Sequence, residues 1–321
     1  MLRILHDTHI DFIKHWRLAV GITLAFILLG VASFAWQPTI SKAIDFTGGT
    51  LVQVSFKQPP DVARLRAALE QGGIGSPELQ RFGTPTDYTI RAQDPEDVEQ
   101  QAEGAHTVAE TIGTVLERTF GAGNYTIVRA EAVGPKVGSE LARNALIAVL
   151  LSFGVTLLYL GWRFEWRFGL AAVVATGHDI FATLAFIKLM DLEISLTVIA
   201  AILTVIGYSL NDTIIIFDRA RENLKKSRRE PLYDTLNRSV NETLPRSVLT
   251  HATTLAATLA LLILAGEVIR PFAWVMTFGI FTGTFSSIYV APAVLLWIER
   301  RWPRTATASA PAPAGARQRR A

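Results

Sequence analysis

Two acidic side chains, Asp179 and Asp212, stand inside otherwise uncharged apolar runs of this 321-residue chain, and they are the groups best placed to do chemistry. A charge at mid-bilayer costs about 2.5–3.5 kcal/mol even on a lenient insertion scale, so its presence calls for a partner or a task. Around Asp212, the residues Thr197, Thr204, Tyr208 and Asn211/Asp212 recur at i, i+7, i+11 and i+14/15, which places them along one helix face. The fifth apolar segment answers with Arg246, Thr250, Thr254 and Thr258 at i, i+4, i+8 and i+12, and with Thr253 beside them. Two polar stripes facing each other would hide from lipid and could hold water. Desolvation favours the neutral carboxyl and a nearby guanidinium favours the carboxylate, so a small movement between Asp212 and Arg246 would switch the acid between binding and releasing a proton. One elementary charge crossing the membrane field is worth about 2.3 kcal/mol per 100 mV, ample to bias a conformational equilibrium. A static Asp212–Arg246 pair that only fastens helices is the competing role; the residues favour the relay, with Asp212, Arg246 and Thr250 at its centre and Tyr208, Asn211 and Thr254 in support.

His178 and Asp179 form a second polar spot, in which proton transfer and a satisfied packing role are equally open, since adjacent helical residues project about 100° apart. One His and one Asp are too few for a metal, and the chain has no cysteine, so neither a metal site nor a disulfide or thiolate is expected. Gly279, Gly283 and Ser287 make a small-xxx-small ridge suited to helix packing. There is no Walker-type phosphate loop, no nucleophile elbow and no His-Glu-x-x-His, so the expectation is a non-enzyme with no cofactor, driven by an ion gradient or a partner.

The elements that must position these groups are apolar runs. Hydrophobic residues make up 50% of the chain and charged residues 18%, with mean hydropathy +0.31, but the average hides two materials. Six windows, 18–36, 144–162, 168–187, 194–217, 247–266 and 271–298, contain no charge except Asp179 and Asp212. Each is near the length of about 20 residues that a helix needs to span a bilayer, and backbone satisfaction in hydrocarbon demands helix. The charge that remains outside them is that of an ordinary soluble surface. With the N-terminus cytoplasmic, 19 Lys and Arg fall on the inner side, against Lys188 and Arg270 in the short outer loops, so both termini are expected inside. The net charge of +3 and pI near 9.3 thus express topology and give no reason to expect nucleic acid. A signal peptide with cleavage near Ser33–Ala35 is the competing reading of the first run; its length and the 17 residues before it favour an uncleaved anchor.

Residues 37–143, with 14 acidic and 10 basic side chains, form a periplasmic domain in this scheme. Period-two alternation at 50–56, helical spacing at 61–69, short strand patterns at 78–82 and 88–91, a long helix at 98–120 and a strand at 125–128 give the order βαββαβ, a ferredoxin-like α+β fold. Fold class alone assigns no function. The five-helix bundle 144–298 is interrupted by a cytoplasmic loop, 218–246, whose run 219–230 reads as a solvated helical extension able to touch anionic headgroups. Residues 299–321 read as a basic, disordered tail.

Several stretches carry a resemblance: Asp45-Phe46-Thr47-Gly48-Gly49, Val133-Gly134-Pro135-Lys136-Val137-Gly138, Arg163 to Gly169, Gly177-His178-Asp179, Val205 to Thr213 continuing into Phe217-Asp218-Arg219, Arg246 to Thr254, and Gly283 to Ile288. In order and layout they resemble the SecF members of the SecD/SecF protein-export family, within the resistance-nodulation-division superfamily. The resemblance implies a subunit of the bacterial inner membrane that uses the proton-motive force to assist late steps of preprotein export. It also implies a SecD-like subunit completing twelve helices, contact with the SecYEG channel and with the emerging preprotein, and family proton residues falling on Asp212, Arg246 and Thr250. One departure is visible: the family commonly has Thr-Ser-Leu-Thr-Thr where this chain has Thr250-His251-Ala252-Thr253-Thr254, so His251 adds a titrating group or fills space. The competing functions are a half-size efflux transporter, for which about 107 residues make a small outer domain, and a scaffold that conducts nothing.

Overall fold

The computed structural model describes residues 8–75, 77–92, 101–227, 230–266 and 268–303, with only the backbone described at 101–107 and 135. The expected tail beyond 303 and the start of the helix expected from 98 lie outside the described residues. Among those described, six helical spans are long and apolar enough to cross a membrane: Ile13–Ala35, Lys136–Arg163, Trp166–Leu189, Leu196–Lys226, Leu232–Leu264 and Arg270–Arg301. The chain is therefore a multi-pass α-helical membrane protein, with a four-stranded sheet built between its first two spans.

That segment contains α2 (Ile44–Thr47), β1 (Gly49–Phe56), α3 (Val62–Gln71), β2 (Glu78–Arg81), β3 (Asp87–Ala92), α4 (Gln101–Phe120) and β4 (Tyr125–Val133), after α1 (Trp16–Ala32) of the first span. The antiparallel strand order β2-β3-β1-β4 is that of the ferredoxin-like split motif. Strand β1 turns Val52, Val54 and Phe56 into a core shared with Ile90 of β3, Leu65 and Leu69 of α3, and Ile112 and Leu116 of α4. A bulge opposite Gln53/Val54 leaves Val128 of β4 unpaired, and β4 runs five residues beyond the expected strand end at 128. Asp61 caps α3 by accepting from the N–H groups of Ala63 and Arg64.

Gly48 and Gly49 adopt φ of 73° and 105°, values that L side chains rarely take, and this turn carries the chain from α2 into β1. A Cβ on Gly138 would stand 3.1 Å from Gly48 N, so the start of α5 (Pro135–Arg163) presses directly on the glycine pair.

The bundle comprises α1, α5, α6 (Trp166–Leu189), α7 (Leu196–Lys226), α8 (Leu232–Leu264), α9 (Arg270–Phe285) and α10 (Ala291–Arg301), the last two joined by a π-turn at Ser286–Val290. Three expected boundaries change. Helix α5 starts at Pro135, inside the region assigned to the soluble domain. The expected loop 218–246 is largely helix: α7 continues to Lys226 and α8 begins at Leu232. The charges there are paired rather than simply solvated. Arg219 meets Glu242 at 2.6 Å and Glu222 at 2.7 Å, Asn223 donates to Glu242 at 2.7 Å, and Arg238 meets Glu230 at 2.6 Å. Paired charges let a helix run past its apolar part.

The sheet unit is pinned to the α6–α7 connection. Residues Ser41 to Ala43 run beside Ile194, with Ala43 N–H donating to Ile194 O at 2.9 Å and Ile194 N–H to Ser41 O at 2.8 Å. Lys188, buried at the end of α6, donates to Thr39 O at 2.7 Å. Arg91 of β3 donates to Lys42 O at 3.0 Å and forms an ion pair with Glu193. Burial pushes the Glu193 carboxyl above its usual range, although Arg91 pulls the other way.

Candidate functional site

Helix α7 sits at the centre of two buried polar networks. On the face towards α6 and α9, Asp179 is 1% exposed. Its Oδ2 accepts from Ser209 of α7 and, at 2.6 Å, from Ser286 of the π-turn, while Oδ1 lies 3.0 Å from His178 Nδ1. One step along, Thr213 and Ser287 share a hydroxyl hydrogen bond of 2.7 Å. The adjacent pair His178 and Asp179 therefore meet in spite of their angular separation, and Asp179 is held by three elements at once. His178 Nε2 is buried without a partner.

Close approach of the helices makes this possible. A Cβ on Gly279 would lie 2.2 Å from Val205 Cγ2, and one on Gly283 would lie 2.8 Å from Ser209 Cβ. The Gly279–Gly283–Ser287 ridge thus packs on Val205, Ser209 and Thr213, each side stepping by four residues. Pro292 has no N–H for the usual bond to Ile288, and the π-turn just before it turns Ser286 and Ser287 both inward, each 0% exposed.

On the face towards α8, Asp212 is 3% exposed. Its Oδ1 accepts from Ser247 Oγ, and its Oδ2 has no partner. One turn away, the rings of Tyr208 and His251 lie 5.4 Å apart, and Tyr208 Oη and His251 Nδ1 are also buried without partners. Thr254 is half-buried and donates to Thr250 O at 2.9 Å.

The expected Asp212–Arg246 pairing is absent: Arg246 is exposed and Ser247 holds the carboxylate. The reason is angular. Steps of four residues drift about 40° each, so Arg246 and Thr258 stand about 120° apart and cannot share a face. The stripe that meets α7 is Ser247, His251, Thr254 and Thr258, at i, i+4, i+7 and i+11. Arg246 remains within electrostatic reach of Asp212, and Thr250 is half-buried beside the stripe. Asn211 is likewise corrected: it projects about 100° from Asp212 and is exposed, so only Asp212 of the two faces α8. Ser247, Ser209 and Ser286 were missed because a serine in an apolar helix gives no distinct signal until its register is known. Among the described residues no group of three or more His, Asp or Glu could hold a metal.

The fold and the site define a polytopic membrane protein with an α+β domain between its first two spans and buried carboxylates at the centre of its bundle. Residues 111–301 match the family described as protein export membrane protein SecD/SecF, C-terminal, and residues 38–60 match the SecD/SecF GG motif. The chain is 61% identical to protein translocase subunit SecF of Gemmatimonas aurantiaca over 95% of its length and 91% of that protein. It is 38% identical to SecF of Vibrio alginolyticus, over 89% of each. Among solved structures it matches SecDF of Thermus thermophilus, a translocon-associated membrane protein, with a TM-score of 0.80 and 36% identity over 94% of this chain. A SecDF structure in a super-membrane-facing form matches with a TM-score of 0.66 and 37% identity. The chain spans only 40% of either SecDF chain. The chain belongs to the SecD/SecF family, as a SecF-type accessory subunit of the protein-export translocase.

Proposed function

We propose that the chain, paired with a SecD-like subunit, couples proton entry through the bacterial inner membrane to late steps of preprotein export through SecYEG, without covalent catalysis or a bound cofactor. The proton is the coupling ion, and both termini are cytoplasmic with the sheet domain in the periplasm, as the basic side chains at the opposite end favour. The observation that carries this reading is Asp212: a carboxylate buried in a membrane span, with one oxygen held by a serine and the other left open beside Tyr208 and His251. A purely structural carboxylate would be expected to have both oxygens satisfied, as Asp179 does.

The SecD-like partner is supported by polar side chains that a single chain leaves open. Thr204, Asn211, Arg246 and Thr253 are exposed on membrane-spanning helices, where lipid offers no hydrogen bonds. Anionic headgroups at the basic cytoplasmic end are further contacts in this reading; nucleic acid has no role in it. Asp212→Asn keeps the shape and removes titration. Loss of proton-gradient stimulation of export, with normal assembly, is the expected result. Export as fast and as gradient-dependent as wild type would end the relay reading, and normal assembly with lost export would exclude a scaffold.

A further inference from the structure

Resting on that relay reading, we propose that His251 carries protons between the periplasmic side and Asp212. The helices set the geometry. Helix α7 runs from the sheet end inward and α8 runs back, so Tyr208 and His251, four residues from Asp212 and Ser247 respectively, form a layer about 6 Å nearer the sheet end. Three buried atoms without partners, Asp212 Oδ2, Tyr208 Oη and His251 Nδ1, belong to these two adjacent layers. Polar groups left open together in a buried place are where water is held. Thr254 and Thr258 continue the same face of α8 towards the periplasm.

The groups around His251 leave it this task. From α7 it faces Tyr208 and Asp212; on its own helix the neighbours are Arg246, Ser247, Thr250 and Thr254. Helix α9, packed against both, has no charged side chain after Arg270 and brings only threonine hydroxyls, of which Thr277 is buried without a partner. The turn Ile13–His15 meets α8 at Asn237, 14 residues or about 21 Å further inward, so Lys14 and His15 are remote. Helix α10 bears Arg300, Arg301 and Glu299 at that same inner end, where Glu299 pairs with Arg167. The imidazole takes one proton from the periplasmic side and passes one on, through water beside Tyr208, to Asp212. The carboxylate becomes the acid, and the ring returns to neutral. An imidazole suits this because its ordinary pKa, about 6.5, lies close to periplasmic pH.

The test compares export by intact cells, whose periplasm follows the medium, at external values from about pH 5.5 to about pH 8, with the full chain in its complex. His251→Gln should match wild type near the acid end, where protons reach Asp212 unaided, and fall about tenfold near the alkaline end. Asp212→Asn should be lost at every pH. Parallel profiles for His251→Gln and wild type would overturn the His251 role and leave the relay intact; gradient-driven export by Asp212→Asn would overturn the relay itself. If His251→Gln fails to accumulate, the imidazole NMR titration of the purified full chain decides. Its midpoint should move by about one pH unit in Asp212→Asn, and an unmoved midpoint would refute the exchange.

Discussion

The Asp45 carboxylate accepts the backbone N–H of Leu196 at 2.9 Å, tying the turn before the glycine pair to the first residue of the helix that carries Asp212. Ser195 caps the same helix by accepting from Val198 N–H at 3.2 Å. A carboxylate at a helix N-terminus satisfies an orphan donor and complements the dipole. Any shift of the sheet domain therefore pulls on α7.

Asp45→Ala should cost about 0.5–2 kcal/mol in this contact and loosen the domain from the bundle. Hydrogen exchange at 196–199 should accelerate, and Asp45→Asn, which keeps an acceptor, should recover most of the protection. Unchanged exchange in the Ala variant would show that the other pins around Ile194 suffice.

Ser247→Ala should alter export more than its size suggests. It strips Asp212 of its one hydrogen bond, an effect of about 1–3 kcal/mol on a buried charged group, and shifts the pH at which gradient-driven export is half-maximal. Arg246 acts from outside that bond, so Arg246→Lys should keep partial activity and Arg246→Met should lose it. Wild-type export in the Met variant would remove Arg246 from the mechanism.

Six spans and the βαββαβ order were legible because uninterrupted apolar length and period-two alternation are local signals; Val52, Val54 and Phe56 all turned inward as their alternation requires. Asp179 and Asp212 were legible as the charged exceptions. What failed was angular register. Arg246 and Thr258 look like one stripe when counted by fours, yet 12 residues of drift separate them, and only packing against α7 selects Ser247 and His251. The helical continuation through 218–246 failed for another reason: its charges look like loop until Arg219, Glu242 and Arg238 are seen to neutralise each other across two helices.

The sheet domain should lose stability in acid through Asp87. Hydrogen bonds from Ser55 and then Thr84, the latter at 2.6 Å, hold its carboxyl below the ordinary range. A depressed folded-state pKa means stability that is present above the unfolded value of about 3.9 and lost as pH falls through the lower folded value. Asp87→Asn should flatten this acid limb in a melting series on the full chain while leaving the neutral-pH melting point nearly unchanged. A limb of the same slope in the variant would assign acid sensitivity to other carboxyls.

The closest helix approach makes the last prediction the most stringent. Gly283 sits where a Cβ would be 2.8 Å from Ser209 Cβ and 3.2 Å from Ser209 Cα, so α7 and α9 must part to admit even alanine. Overpacking of this kind costs about 1–3 kcal/mol. Ser209 also donates to Asp179, so separating the helices lengthens that bond and the Ser286 bond with it. Gly283→Ala should lower the melting temperature of the purified chain and reduce export, whereas Gly177→Ala, where a Cβ meets nothing within 4 Å, should do neither. Ser209→Ala separates the two effects: it keeps the close approach, removes one donor to Asp179, and should cost stability of about 1–3 kcal/mol for the weakened buried charge. If Gly283→Ala melts like wild type, α7 and α9 can slide, and the Asp179 cluster is not the rigid fastening that its three partners suggest.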